Sequence, residues 1–260
     1  MSVTKHTYEN LQARESIRVV SREYLSIYYI QAASYFAKHS FNLEHSPLPT
    51  ENQELQRICL LHKTYVISSI LTSVCFLEST INELFKDCSE RPNDPNVNVY
   101  NLDKNSKQEI ADIYNETKLF NNRKFRFHSV LTKFNIFLSS NNKREFDENF
   151  VIYNNAMHLI YLRNTLVHYK PVWIDFTDPG NNIISDIRVD ELITFLLDKR
   201  FNLNPLLPQN PVFTDRILSY GCADWSVKIC LNFTDRFFKI LNIDVPYEHV
   251  RGNIHRQLRT

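Results

Sequence analysis

The sequence predicts an all-α fold, an antiparallel bundle of four main helices with a fifth alongside. Three observations predict it. Apolar residues recur at spacings of three and four over long stretches, the pattern of helices that bury one face. Segments rich in Pro, Asn and Asp separate those stretches. The chain is 43% hydrophobic and 13% aromatic over 260 residues, enough to fill a substantial core in one large domain.

Residues 1–15 form a polar lead-in. The first helix is expected over Ile17–Phe41, with Val20, Tyr24, Ile27, Tyr28, Ala32 and Tyr35 on one face. Two prolines between Asn42 and Pro49 end it. The second helix is expected over Glu51–Phe85. Its apolar stripe runs Ile58, Leu61, Tyr65, Val66, Ile70, Val74, Leu77, Ile81, Leu84. At about 1.5 Å per residue it spans roughly 50 Å, long enough to call for a bend or a partner along its flank. Residues 87–106 read as a surface loop.

The third helix is expected over Lys107–Ser139, broken near Asn121-Asn122. Its later part interleaves Arg123, Lys124, Arg126, His128 and Lys133 with Phe125, Phe127 and Phe134. That mixture suits a nucleic-acid backbone with stacked bases. It equally suits aromatics in a core beneath a solvated charged face. Asn141-Asn142 closes this helix, and a fourth is expected over Phe150–Tyr169.

After Pro171 the period changes. Val172, Ile174 and Phe176 alternate, Asp178-Pro179-Gly180-Asn181 reads as a turn, and Ile183, Ser185, Ile187 and Val189 alternate again. A small β-hairpin is expected there. A short helix (Asp190–Lys199) and a linker with Pro205, Pro208 and Pro211 follow. The last long helix is expected over Asp215–Leu241, and Glu248–Thr260 as a loose basic tail. The chain thus reads as one domain, 1–260. Its core bundle covers 17–171, the hairpin and linker 172–212, the C-terminal helix 213–241 and the tail 242–260.

Composition excludes several function classes. Net charge is +1 with a pI near 7.7, which gives no global pull toward nucleic acid. RNA binding would need a local basic patch. Three glycines, Gly180, Gly221 and Gly252, are too few and too scattered for a phosphate-cradling loop. The five cysteines lack zinc spacing and read as buried free thiols. Of nine histidines only His158 and His168 share a helix, and none stands one turn from a Glu in a metal motif. No metal and no cofactor are expected. Residues 1–16 are polar, and the longest apolar run, Tyr65–Leu77, falls short of the roughly 20 residues that cross a bilayer. A cytoplasmic protein without a membrane role is expected.

The chemistry concentrates in the fourth helix, at Arg163-Asn164-Thr165-Leu166-Val167-His168. Met157, Ile160, Tyr161, Leu162, Leu166 and Val167 supply its apolar side. Pro171 stops it, because Lys170 before a proline leaves the α region. Asn164 and His168, four apart, share a face. Arg163 and His168, five apart, diverge by about 140°, although a long arginine can curl back. A guanidinium holds phosphate oxygens in a bidentate fork, and an imidazole exchanges protons near neutral pH. Such a set suits an anionic phosphodiester. A charged helix rim with a capping histidine is the structural alternative.

This stretch resembles the HEPN superfamily, named for higher eukaryote and prokaryote nucleotide-binding domains. Its signature is an Arg, four to six residues and a His, with a polar residue after the Arg. Phe76-Leu77-Glu78-Ser79-Thr80-Ile81-Asn82-Glu83-Leu84 looks like the second-helix element of some subgroups, whose Glu and Asn face the motif helix. The resemblance implies a helical bundle and a metal-independent endoribonuclease, of the toxin or antiviral-defence kind. It implies His168 as the proton mover, Arg163 as the group that stabilises the phosphorane, Asn164 as the group that orients, and Glu78 as the holder of Arg163. Asn82, Tyr169, Lys170 and Arg126 are the expected substrate-binding residues. RNA, a second copy of the chain and an antitoxin or defence-system protein are the expected partners. The alternatives are a catalytically silent nucleotide- or RNA-binding module or scaffolding subunit of the same fold, and a helical interaction protein.

Overall fold

In the computed structural model the described residues are 23–90, 102–119, 129–168, 187–199, 201–207 and 213–258. Every regular element among them is a helix: α1 (Leu25–Glu44), α2 (Asn52–Glu90), α3 (Lys104–Leu119), α4 (Val130–Ser139), α5 (Val151–Val167), α6 (Ile187–Asp198), α7 (Phe213–Ile217), α8 (Tyr220–Leu241) and α9 (Glu248–Leu258).

The 39-residue α2, about 58 Å long, is the central post. By length and composition alone it could also cross a membrane, but here Val66, Ile70, Val74, Leu77, Ile81 and Leu84 are buried in the protein core. α1 runs antiparallel to it: Ser26 meets Glu83, Ala33 meets Ser69 and Glu44 meets His62. The face α1 turns inward is not the aromatic one expected from the sequence. Ser26, Ile30, Ala33, Ser34, Ala37 and Ser40 are buried, while Tyr28 and Tyr35 are exposed. Small side chains let the backbones approach, so that the Ser69 hydroxyl donates directly to the Ala33 carbonyl at 2.9 Å. Close packing favours that arrangement over a spaced aromatic seam.

The last long helix is not an accessory laid alongside. α8 runs in the direction of α2, with its start at Glu44 beside His62 and Cys230 at Ser73. It buries Phe233, Phe237 and Phe238. α4 runs the same way, with Lys133 at Asn82 and Phe137 at Phe85. Phe134 sits edge-on to Phe233 and Phe237 at 5.0 and 4.7 Å. Each such pair contributes about 0.5–1.5 kcal/mol beyond burial.

Other boundaries differ from expectation for identifiable reasons. The third helix divides into α3 and α4, with Ser129 capping α4 through Thr132 N–H. Asn142 then takes a left-handed φ of 53° and lets Lys143 N–H bond back to Leu138 O, closing α4 as the Asn pair suggested. The last helix begins at Tyr220 rather than Asp215, because the Ser219 hydroxyl caps it. The tail is helical over Glu248–Leu258 rather than loose: Val250, Ile254 and Leu258, one turn apart, are buried, and α9 packs against α1. The hairpin falls mostly on residues 169–186, outside the described residues. Its last two apolar positions, Ile187 and Val189, lie in α6, where Leu192 and Leu196 set a helical period instead.

Candidate functional site

α5 crosses α2 near Glu78. Its buried residues are Ala156, Leu159 and Leu162, so the seam is narrower than the expected one, and Val167 is exposed. That seam fixes the rotation of the helix and turns Arg163 toward α2. The guanidinium Nη2 lies 3.3 Å from Glu78 Oε1, an ion pair with the Arg163 side chain 21% exposed and Glu78 43% exposed. The two candidates from distant parts of the chain are therefore neighbours in space.

One turn along α2, the exposed Asn82 accepts a hydrogen bond through Oδ1 from Lys133 Nζ on α4, at 3.0 Å. Lys133 is only 7% exposed. Burial pushes its ammonium below the ordinary lysine value, and the nearby Glu78 carboxylate partly restores it. Tyr29, Cys75, Glu78, Ser79, Asn82 and Lys133 line an open cleft of about 370 Å³. The Cys75 thiol is pushed up by burial and by Glu78, and eased by Arg163. It is thus a poor nucleophile at neutral pH.

The motif's second half sits elsewhere. The His168 N–H still bonds to Asn164 O at 2.9 Å, so the one-turn register of Asn164 and His168 holds to the helix end. His168 occupies the C-cap position of α5 and is exposed. Among the described residues its imidazole has no hydrogen-bond partner, and Arg163 points to Glu78. The structure thus joins Glu78 with Arg163 and Asn82 with Lys133, and leaves His168 at the open end of the helix. Arg126, Tyr169 and Lys170 lie outside the described residues. Lys133 was legible only as one charge in a mixed run; its burial follows from α4 packing between α2 and α8, which no local pattern reports. Among the described residues, no three His, Cys, Asp or Glu side chains are grouped to hold a metal ion.

Comparison with family models, curated proteins and solved structures finds no match to this chain.

Proposed function

We propose that this chain is a metal-independent endoribonuclease of HEPN type, whose site is the junction of α2 and the end of α5. The ion pair between Arg163 and Glu78 carries this reading. It holds a permanent cation, in a form that can bind phosphate oxygens, beside a polar cleft and on the helix whose end, five residues on, carries an exposed imidazole. In the reaction, the ribose 2′-oxygen attacks the adjacent phosphorus and loses its proton. The bond from phosphorus to the 5′-oxygen breaks, and His168 protonates that leaving oxygen. Arg163 stabilises the charge that builds on the phosphorane, and Asn164 orients a phosphate oxygen or the imidazole. The products end in 2′,3′-cyclic phosphate and 5′-hydroxyl. DNA, which lacks the nucleophile, is left intact.

One chain supplies a single motif histidine, while the reaction needs a base as well as an acid. We therefore propose a homodimer with two α5 ends facing each other, where His168 of the partner subunit serves as the base. Two-fold pairing is the commonest form of self-association. The setting proposed is a cytoplasmic toxin or antiviral effector controlled by a partner protein. The His168 imidazole, exposed and without a hydrogen-bond partner among the described residues, also supports a second reading, a catalytically silent module that binds RNA.

Incubating the purified protein with total RNA in excess chelator separates the two. The first reading expects fragments with cyclic phosphate ends. A strict requirement for a divalent ion, or 3′-hydroxyl products, overturns the mechanism, and binding without cleavage supports the silent module.

A further inference from the structure

The cleft beside Arg163 presents its hydrogen-bonding groups in a definite order. Glu78 and Asn82 are four apart on α2, so both stand on the face that borders it. The Glu78 side chain is 43% exposed, and its Oε1 lies 3.3 Å from Arg163 Nη2. A carboxylate only accepts, at about four lone-pair positions on its two oxygens. Among the described residues Arg163 is its one ion-pair partner, so acceptor capacity remains for a ligand in the cleft. Asn82 adds the opposite capacity. Lys133 Nζ donates to its Oδ1 at 3.0 Å. An ammonium has no acceptor, so this bond fixes which way the amide faces and leaves Nδ2 as a donor. Along α2 the cleft therefore offers two acceptors and then, one turn on, a donor. Tyr29, half-buried on α1, supplies an aromatic wall. The volume of about 370 Å³ falls in the usual range of small-ligand sites, roughly 300–1,000 Å³.

Single-stranded RNA is recognised by the edges of its unstacked bases and by aromatic rings that stack on them. Among the RNA bases only guanine carries two neighbouring donors followed by an acceptor: its N2 amine and N1–H stand beside O6. Adenine and cytosine set one amino donor beside a ring acceptor, and uracil sets one imino donor between two carbonyls. We propose that the cleft is a guanine-recognition subsite, in which the Glu78 carboxylate accepts from N1–H and the N2 amine, the Asn82 amide donates to O6 and the Tyr29 ring stacks on the base. The inference rests on the ribonuclease reading for the chain that carries the base; a free guanine nucleotide is the other source of the same chemistry. Because Arg163 touches the same carboxylate, a bound guanine brings an adjoining phosphate beside the guanidinium, and base recognition then positions the bond that is cut.

The test uses the full-length protein and fluorescent 2′-O-methyl oligouridylates, which lack the nucleophile and cannot be cut. Their central base is guanine, hypoxanthine, adenine, cytosine or uracil, and anisotropy measures affinity. The guanine oligomer is expected to bind at least about tenfold more tightly than those with adenine, cytosine or uracil, the scale of one bidentate base contact. Hypoxanthine differs from guanine only in lacking the N2 amine, and should bind at least about threefold more weakly than guanine, a readout that needs no variant. Glu78→Gln replaces one acceptor with a donor, the pattern that suits the amine and N1 of adenine. The preference for guanine should disappear in it, and adenine should become the tighter of the two. A merely structural Glu78 would weaken all the oligomers alike. Tyr29→Leu should weaken all of them by at least about fivefold, because stacking tolerates any base, and Tyr29→Phe should bind as wild type does.

Guanosine monophosphate is the second arm. Competition by it only at concentrations far above those of the guanine oligomer assigns the cleft to guanine within RNA, whereas equal potency assigns it to free nucleotides; both keep guanine as the base. Equal affinity for guanine and adenine in wild type, hypoxanthine as tight as guanine, an unchanged guanine preference in Glu78→Gln, or undiminished binding by Tyr29→Leu overturns the proposal. A protein that cuts RNA but binds all the oligomers alike retains the ribonuclease reading and loses this one. A protein that selects guanine and cuts nothing does the reverse.

Discussion

Two arginine–carboxylate contacts in this molecule are built to different ends. Arg251 on α9 grips Asp235 on α8 with two hydrogen bonds, at 2.7 and 2.9 Å, and sends its Nε to Glu248 at 2.6 Å. The same Asp235 accepts the Tyr247 hydroxyl at 2.6 Å, and Tyr247 in turn meets Thr234. Asp235 and Glu248 hold the Arg251 guanidinium well above its ordinary value, and burial and Asp235 push the Tyr247 phenol up. The cluster is closed: each nitrogen of the arginine fork has a carboxylate acceptor, and the ring of Tyr247 is fully buried beneath it. It borders a cleft of about 260 Å³, but Arg251 is committed there and Lys228 pairs with Asp224 at 2.7 Å. Arg163 differs. Among the described residues it makes one longer contact, to a carboxylate that is nearly half exposed, and an arginine fork so lightly used can still receive a phosphate. A saturated arginine holds the fold together, whereas an undersaturated one is available to a ligand.

Replacing the arginines separates these roles most sharply. Arg163→Ala and His168→Ala should each lower RNA cleavage by at least about a hundredfold, the scale of losing one donor or proton carrier at a transition state. Helical circular dichroism and melting should stay close to wild type, because exposed ion pairs contribute about 0–1 kcal/mol. If either variant cuts the same RNA at the wild-type rate, the site assignment fails. Mixing the two variants sharpens the dimer proposal, since a mixed pair can rebuild one complete site. Partial rescue supports it, and a fully active monomer by light scattering removes it.

Asp235→Ala is the counterpart on the closed side. It leaves Arg251 and the Tyr247 hydroxyl without their shared acceptor. A cost of about 2 kcal/mol is expected, below that of a fully buried pair because Asp235 is one-third exposed. Urea titration measures it. Cleavage per folded molecule should be unchanged, and a loss of cleavage beyond the loss of folded protein would erase the distinction between the two arginines.

These two sites were unequally legible in the sequence. The motif helix was readable because its periodicity, Pro171 and the Arg–His spacing all lie in one short stretch. Pairing Glu78 with Arg163 came from a family resemblance, since nothing local links residues so far apart in the chain. The Asp235–Tyr247–Arg251 cluster was missed because residues after Leu241 looked polar. The spacing of Val250, Ile254 and Leu258 was the available signal for α9. The inward face of α1 was misread for a related reason: aromatic side chains weigh heavily in a periodicity argument, yet close helix approach selects the Ser and Ala residues between them.

Glu78→Gln tests a smaller step on the open side. The amide keeps the size and can still accept a bond from Arg163, but it removes the charge. Cleavage should fall about tenfold through a less ordered guanidinium, with stability changed by less than about 1 kcal/mol. A variant as impaired as Arg163→Ala would instead make Glu78 a direct participant, and an unimpaired one would make the ion pair incidental.

The smallest effect concerns Glu83, also on α2 but on the face that meets α1. Its carboxylate accepts the Ser26 N–H at 2.9 Å and the Ser26 hydroxyl at 2.5 Å, so it caps the start of α1 from a neighbouring helix. Burial pushes it above the ordinary carboxylate value, the Ser26 bonds oppose that, and nearby Asp87 adds to it. The folded protein therefore keeps this proton at a pH where the unfolded chain has released it. Stability associated with Glu83 is fully present below the ordinary carboxylate value and declines as pH rises through the raised one. Glu83→Gln removes the titration while leaving an acceptor for Ser26. Its melting temperature should vary less than that of wild type over the window just above the ordinary carboxylate range, and should at least equal it at neutral pH. Parallel wild-type and variant curves across that window would show that Glu83 is not the titrating group. A drop in RNA cleavage in this variant, with folding intact, would extend the functional face of α2 beyond Glu78 and Asn82 to the side that α1 covers.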